Sequence, residues 1–221
     1  MSEEKTPWST KVELLRLMWD RPMISEYRFF MLEMIKHYLS FNPEWYVLDA
    51  GCGNGLLFKY LPEEFRRRYH GIDFTPEMIE YCKIIYPEYK DQFWICDIRN
   101  IYNIPYSELV ITQNVLQHIL VYQRALENLI THTEKIIMLC ERTHNDCSIR
   151  VGAARPDKGY TVLVDRNPER WRFNENDFLD TLEYLGKIYG FNKPEVIGRP
   201  KSTDNLENVL AIYRMKKKIG D

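Results

Sequence analysis

The residues best placed to do chemistry begin at Asp49. There a short apolar run, Tyr46, Val47 and Leu48, gives way to an acid and then to Gly51, Gly53 and Gly55 at alternate positions. Only glycine combines a positive φ with a missing Cβ, so such a turn lets backbone approach a ligand closely. A helix starting near Asn54, over LLFKYL, would aim its first amides at the same place and favour a carboxylate or another anion. The pattern is that of a loop for a nucleotide-type cofactor. It departs from the dinucleotide fingerprint, because counting from Gly51 puts Leu56 at the third glycine position and counting from Gly53 puts Phe58 there. NAD therefore fits poorly. Further polar groups close the next apolar runs: YHGID ends at Asp73, FWICD at Asp97, SELVITQNVLQHI carries Gln113, Val115 and His118, and KIIMLCE ends at Glu141.

An acid two residues before the first of three alternating glycines resembles motif I of the class I S-adenosylmethionine-dependent methyltransferases. Three further landmarks follow in that family's order, and the four together span residues 45 to 119. Asp73 lies about 24 residues after Asp49, where the resemblance implies an acid for both ribose hydroxyls. Phe74 and Met78 stand beside it, and Thr75 and Pro76 read as helix N-cap and first helical residue. In FWICDIRN the resemblance implies that Asp97 takes the adenine amino group and that the Ile98 amide takes a ring nitrogen. In the fourth motif it turns Gln113, Val115 and the His118 region toward the methyl group. The implied cofactor set is Asp49, Gly51, Cys52, Gly53, Gly55, Asp73, Phe74, Met78, Asp97, Ile98, Gln113 and Val115. It would hold S-adenosylmethionine (SAM) and leave S-adenosylhomocysteine (SAH) as product, with no metal. Cys52 reads as a small packed loop residue and not as a nucleophile.

The sulfonium of that cofactor already makes its methyl group electrophilic, so the protein has mainly to align an acceptor and exclude water. A hydroxyl or ammonium acceptor also needs a base. His118 is the first candidate because an imidazole titrates near neutrality, and Glu141, at a strand's carboxyl end, is the second. QNVLQHI is neither the Asp/Asn-Pro-Pro-Tyr/Phe of amino methyltransferases acting on adenine or glutamine nor a Pro-Cys pair for covalent attack on a pyrimidine. These absences favour an O or N acceptor on a small molecule. The alternatives are a protein methyltransferase, acting on a terminal amine or side chain, and a non-catalytic SAM-binding subunit of a partner enzyme. Aminopropyl transfer lacks a paired-acid signature near the fourth strand.

The elements that would position these residues read as an α/β three-layer sandwich with a seven-stranded mixed sheet, its last strand antiparallel. Thr10 and Glu13 have capping-box spacing ahead of VELLRLMW, and SEYRFFMLEMIKHYLSF has apolar residues at helical spacing, so two extra helices precede the first strand. The resemblance implies that such helices lie over the cofactor mouth, making Tyr27 and Arg28 candidate acceptor contacts. ALENLI reads as a helix, and KIIMLCE as the fifth strand. The stretch 142–173 is long for a connection and reads as a lid. Its Arg150 and Arg155 could hold a carboxylate or phosphate in bidentate fashion. ENDFLDTLEYLGKIYG puts Phe178, Leu182 and Leu185 on one helical face, and FNKPEVIG with NVLAIYRM reads as the closing antiparallel pair.

At 221 residues and 45% hydrophobic, the chain reads as one domain with room for a sizeable core. Its parts are an N-terminal helical cap (1–42), a cofactor-binding half (43–141), the lid (142–173) and a C-terminal helix with a β-hairpin (174–221). A net charge of −2 supplies no general pull toward nucleic acid or an anionic membrane. No apolar run approaches the roughly 18 residues of a membrane span. Cys52, Cys82, Cys96, Cys140 and Cys147 are scattered without metal-ligand spacing, which suits a reducing cytoplasm. A monomer or homodimer acting on a small molecule is the expectation.

Overall fold

The computed structural model describes residues 26–119, 121–144, 154–155, 160–163, 170–171, 173–199 and 209–218. In it, the apolar runs that end in polar residues become parallel strands whose carboxyl ends share one edge. In chain order the strands are β1 (Val47–Ala50), β2 (Tyr69–Asp73), β3 (Phe93–Ile95), β4 (Ser107–Gln113) and β5 (Thr133–His144). There follow β6 (Ala154–Arg155), β7 (Tyr160–Leu163), β8 (Arg170–Trp171), β9 (Phe173–Asn174), β10 (Glu195–Gly198) and β11 (Val209–Lys216). The main sheet runs β10-β11-β5-β4-β1-β2-β3, with β11 antiparallel to both of its neighbours. This is the expected seven-stranded path, with one addition: the two-residue β9 pairs in parallel with the end of β5, Phe173 opposite Thr143. β6, β7 and β8 form a separate three-stranded sheet, and the backbone of β8 lies against the turn Leu116–His118. The fifth strand, expected to stop at Glu141, continues to His144, because β11 pairs with it as far as Thr143 and β9 beyond.

The helices are α1 (Glu26–Phe41), α2 (Leu56–Tyr60), α3 (Glu63–Arg66), α4 (Pro76–Ile85), α5 (Tyr122–Thr131) and α6 (Glu175–Tyr189). Because side chains alternate along a strand, each buries two apolar sets. Leu48, Ile72, Val110, Leu139 and Tyr213 meet Leu126 and Leu129 of α5 and Phe178 and Leu182 of α6. On the opposite face Val47, Tyr69, Ile111, Met138 and Ile212 meet Met31 and Ile35 of α1, Phe58 of α2 and Ile79 of α4. Asp49, two residues after Val47, and Asp73, four after Tyr69, belong to this second face. The expected α6 face of Phe178, Leu182 and Leu185 is buried. Asn174 caps that helix by accepting from the Asn176 and Asp177 amides at 2.9 and 3.2 Å, and Gly190 ends it in the left-handed conformation. Of the two leading helices, α1 is present, and the segment VELLRLMW lies outside the described residues.

Two local expectations change. The helix after the glycines begins at Leu56, not near Asn54, and lasts five residues because Pro62 stops it at Leu61. One and a half turns carry little macrodipole, so charge attraction from this helix contributes little to an anion site. What holds α2 is packing: the Phe58 ring sits 4.6 to 5.2 Å from those of Tyr69, Tyr86, Tyr89 and Phe93. Thr75 does occupy the N-cap position of α4, but its side chain makes no capping bond, and its N–H is taken by Asp73. Phe58→Ala should therefore cost roughly 3–5 kcal/mol in equilibrium urea unfolding. Phe74→Ala, at a ring 46% exposed, should stay within about 0.5 kcal/mol of the wild type.

Candidate functional site

The three glycines after β1 all have positive φ, +84° at Gly51, +55° at Gly53 and +70° at Gly55. The turn they make is tied to β2: the Gly51 and Cys52 amides both donate to the Ile72 carbonyl, at 2.8 and 2.9 Å. The Gly53 amide donates to Asp73 Oδ2 at 3.0 Å, while Asp73 Oδ1 accepts from Thr75 N at 2.9 Å. Gly51 is required by contact as well as by dihedral angle, since a Cβ there would lie 2.3 Å from Val115 Cγ2. At Gly53 a Cβ would meet nothing within 4 Å, so this part of the loop fronts open space.

Val115 reaches Gly51 from the turn after β4, and that turn is itself held from β5. Glu141 is fully buried, and its Oε1 accepts the Val115 and Leu116 amides at 3.1 and 3.2 Å. Asn114, at the apex, is left-handed with φ +56°. Gln113 Oε1 and Asn114 Oδ1 are buried without a hydrogen-bond partner among the described residues. Buried polar atoms are normally satisfied, so two orphaned acceptors beside a glycine cradle are what a missing donor-bearing ligand would leave. His118 closes the Leu116–His118 turn, its N–H donating to Val115 O at 2.9 Å, and is half-buried beside the β8 backbone.

The acids differ in how their charge is held. Asp49 is 3% exposed, and burial pushes its carboxyl from 3.8 up to about 7. A 2.6 Å hydrogen bond from the Tyr69 hydroxyl opposes the rise, the neighbouring Asp73 adds to it, and the Arg28 charge on α1 opposes it again. Burial also raises Asp73, against the pull of the Thr75 and Gly53 amides. For Asp97, burial would raise the carboxyl, but hydrogen bonds from the Arg99 side chain and amide outweigh it and hold the group below the usual range. The expected adenine acid is thus already committed to Arg99, 2.6 Å away. Burial and the adjacent Cys82 push the Cys52 thiol well up, so it stays protonated, as a packed residue should.

The structure brings Asp49, Gly51, Cys52, Gly53, Gly55, Asp73, Phe74, Met78, Asp97, Ile98, Gln113, Val115 and His118 to the carboxyl edge of β1 to β4. Phe74 is exposed, whereas Met78 and Ile98 are buried. Glu141, expected as the second base, holds two amides through Oε1 and so braces the β4 turn. Tyr27 packs against the α1 core and so reads as structural, while Arg28 lies within electrostatic reach of Asp49. Arg150 lies outside the described residues, and Arg155 belongs to β6, where only the backbone is described. Tyr69, Asn114 and the Glu141 brace escaped sequence reasoning. The one available signal was a tyrosine at a position where a buried parallel strand would carry an aliphatic residue. Among the described residues no group of three or more His, Cys, Asp or Glu side chains could hold a metal, and no helix is long and apolar enough to cross a membrane.

Two stability tests follow from this geometry. Gly51→Ala should cost at least about 2 kcal/mol, and Val115→Ala in the same chain should recover part of that but not the dihedral strain, as a thermal-melt double-mutant cycle would read. Asp49 is protonated in the folded chain and ionised in the unfolded one between pH 3.8 and about 7, so folding takes up a proton and stability falls as pH rises. Above both values the cost reaches about 4 kcal/mol at most. Asp49→Asn should accordingly raise Tm at pH 8 and converge on the wild type near pH 4.

Among curated proteins, no sequence matches this chain. A family profile described as a methyltransferase domain matches residues 47–135, the segment that runs from β1 into β5. Solved structures of similar fold include the magnesium protoporphyrin IX methyltransferase of Synechocystis PCC 6803 with bound SAH. It is 15% identical with a TM-score of 0.61, covering 95% of each chain. A second is the sugar N-methyltransferase KedS8 from a Streptoalloteichus species, 13% identical with a TM-score of 0.59 over 90% of this chain and 96% of that one. A third is the [4+2]-cyclase SpnF, 13% identical with a TM-score of 0.56 over 80% of this chain and 76% of that one. At these identities the likeness is one of fold. Residues 47–135 thus match a methyltransferase domain, and the described residues have the fold of SAM-dependent methyltransferases of known structure.

Proposed function

We propose that the chain moves the methyl group of SAM to an oxygen or nitrogen of a small molecule. The observation that carries this is the coincidence of the methyltransferase-domain match with one edge of the sheet: the glycine cradle under Val115, the orphaned Gln113 and Asn114 oxygens and the buried Asp49 all lie at the carboxyl ends of β1 and β4. Those features fit SAM, a nucleoside carrying a zwitterionic amino acid. Asp49 would take its ammonium, and Arg28, facing Asp49 from α1, its carboxylate. Each Asp73 oxygen spends one lone pair on an amide and keeps another for a ribose hydroxyl. Phe74, with its exposed ring, would stack on the adenine face, and the Ile98 amide would take a ring nitrogen. Asp97 would share the adenine amino group with Arg99 or yield it.

When bound, SAM supplies an activated methyl group, and the protein's own work is to orient the acceptor and keep water out. His118 stands at the turn that Glu141 braces and would accept the acceptor's proton. The small-molecule reading draws support from two proteins of like fold, a magnesium protoporphyrin IX methyltransferase and a sugar N-methyltransferase. Saturating SAH, at about 100 times its Kd, should stabilise the protein by about 2.7 kcal/mol, or roughly 5 to 10 °C in Tm, while NADH should not. An acceptor screen with methyl-labelled SAM should place label in a metabolite; label in a protein band would move the acceptor to a polypeptide. His118→Ala should lower kcat by about a hundredfold with SAH binding intact, and wild-type turnover would leave the histidine a packing role.

A further inference from the structure

Tyr69 begins β2 opposite Val47, and Asp49 stands two residues further along β1, opposite Gly71. Tyr69, Gly71 and Asp73 alternate onto the same sheet face as Asp49. The phenol can run along the strand to the carboxylate because Gly71 carries no side chain. A Cβ at Gly71 would lie 2.9 Å from Phe93 Cδ1 and 3.0 Å from Cys52 Sγ, so the space is shared tightly. Rings of Phe58 and Phe93, with centroids 5.1 and 6.0 Å away, fix the Tyr69 ring from the sides. Its hydroxyl, fully buried, donates to Asp49 Oδ2 at 2.6 Å. Burial and the Asp49 charge hold that hydroxyl protonated, so it acts only as a donor. Among the described residues Asp49 Oδ1 has no hydrogen-bond partner.

We propose that Tyr69 is a positioning residue for the cofactor: its hydroxyl fixes the Asp49 carboxylate in one orientation and favours its charged form, so that Oδ1 is presented to the ammonium of the ligand's amino-acid end. This rests on the SAM reading given above. The groups facing Asp49 are Tyr69 and Asp73 from β2, Arg28 from α1 and Cys52 from the glycine turn. Cys52 stays neutral through the physiological range, so the Asp49 carboxyl with its Tyr69 bond sets how this pole of the site titrates. An ammonium binds a carboxylate and not a carboxylic acid. Ligand binding must therefore release the Asp49 proton wherever the empty site holds it, and affinity falls as pH drops.

The test is isothermal titration of SAH, and in parallel of 5′-methylthioadenosine, which lacks the amino-acid end, into wild type and Tyr69→Phe between pH 6 and 8.5. Wild-type SAH affinity should be about tenfold weaker at pH 6 than at pH 8, with methylthioadenosine affinity flat. Tyr69→Phe keeps the ring packing and removes one hydrogen bond to the charged form. Its midpoint should move up by about one pH unit, leaving SAH affinity about fivefold below wild type at pH 7 and within about twofold at pH 8.5. A loss equal at every pH, or one shared by methylthioadenosine, would make Tyr69 merely structural and overturn the proposal. So would SAH affinity that is flat with pH in both proteins. No SAH binding at any pH would remove the SAM reading itself, and the proposal with it.

Discussion

Everything at the carboxyl edge of the sheet depends on how closely two turns can approach at Gly51. The backbone there passes under Val115 with no room for a methyl group, and each turn is anchored to a different neighbouring strand. The glycine turn hangs from β2 through the Ile72 carbonyl and the Asp73 carboxylate; the β4 turn hangs from β5 through Glu141. Four strands are thereby tied into one rim by backbone amides, groups that side-chain fluctuation does not move. A rim of that kind holds its shape before a ligand arrives, which is the condition for positioning to contribute to rate. Loosening any one tie would displace the others, because Val115 both accepts the contact from Gly51 and donates the amide to Glu141.

Asp49 shows the energetic side of the same design. Placing a carboxyl at 3% exposure beside a second acid disfavours its charge, and a phenol and a distant guanidinium offset only part of that cost. An aliphatic residue at this strand position would fold more stably. A group kept where it lowers stability is characteristic of a site selected for binding, where a ligand's charge completes what the protein leaves unbalanced. The orphaned oxygens of Gln113 and Asn114 follow the same logic with hydrogen bonds in place of charge.

The strands and their polar ends were legible in the sequence because buried parallel strands are short apolar runs and their ends are marked by residues that cannot be buried unpaired. The β4 run and the α6 face needed only periodicity and burial. What escaped was set by partners distant in sequence. α2 is short because of Pro62, which was visible, but it is held by an aromatic cluster gathered from β2, β3 and the turn before it, which was not. β5 runs past Glu141 because β9 and β11 pair with it. Glu141 had the look of a base because strand ends line the cleft, yet its side chain turned inward to two amides across the adjacent strand. Asp97 was expected to end the third strand, but β3 stops at Ile95 and the acid instead caps the tight turn that follows, where it pairs with Arg99, two residues on.

The distribution of acids also bears on rate. Methyl transfer from a sulfonium to a neutral acceptor removes positive charge from sulfur as the bond breaks, so a carboxylate held against the sulfur would stabilise the reactant more than the transition state. Four acids stand at this edge of the sheet, and each has at least one oxygen engaged by a protein donor. Each Asp73 oxygen accepts from one amide, Asp97 pairs with Arg99, and Glu141 Oε1 holds the β4 turn. Asp49 has Oδ2 occupied by Tyr69 and, in the proposed arrangement, Oδ1 by the ammonium at the far end of the amino-acid chain. In the proposed arrangement the groups nearest the methyl would be the amide oxygens of Gln113 and Asn114 and the imidazole of His118. Such groups would orient an acceptor and take its proton without deepening the ground state, and that division between carboxylates that bind and uncharged oxygens that align would let one rim do both.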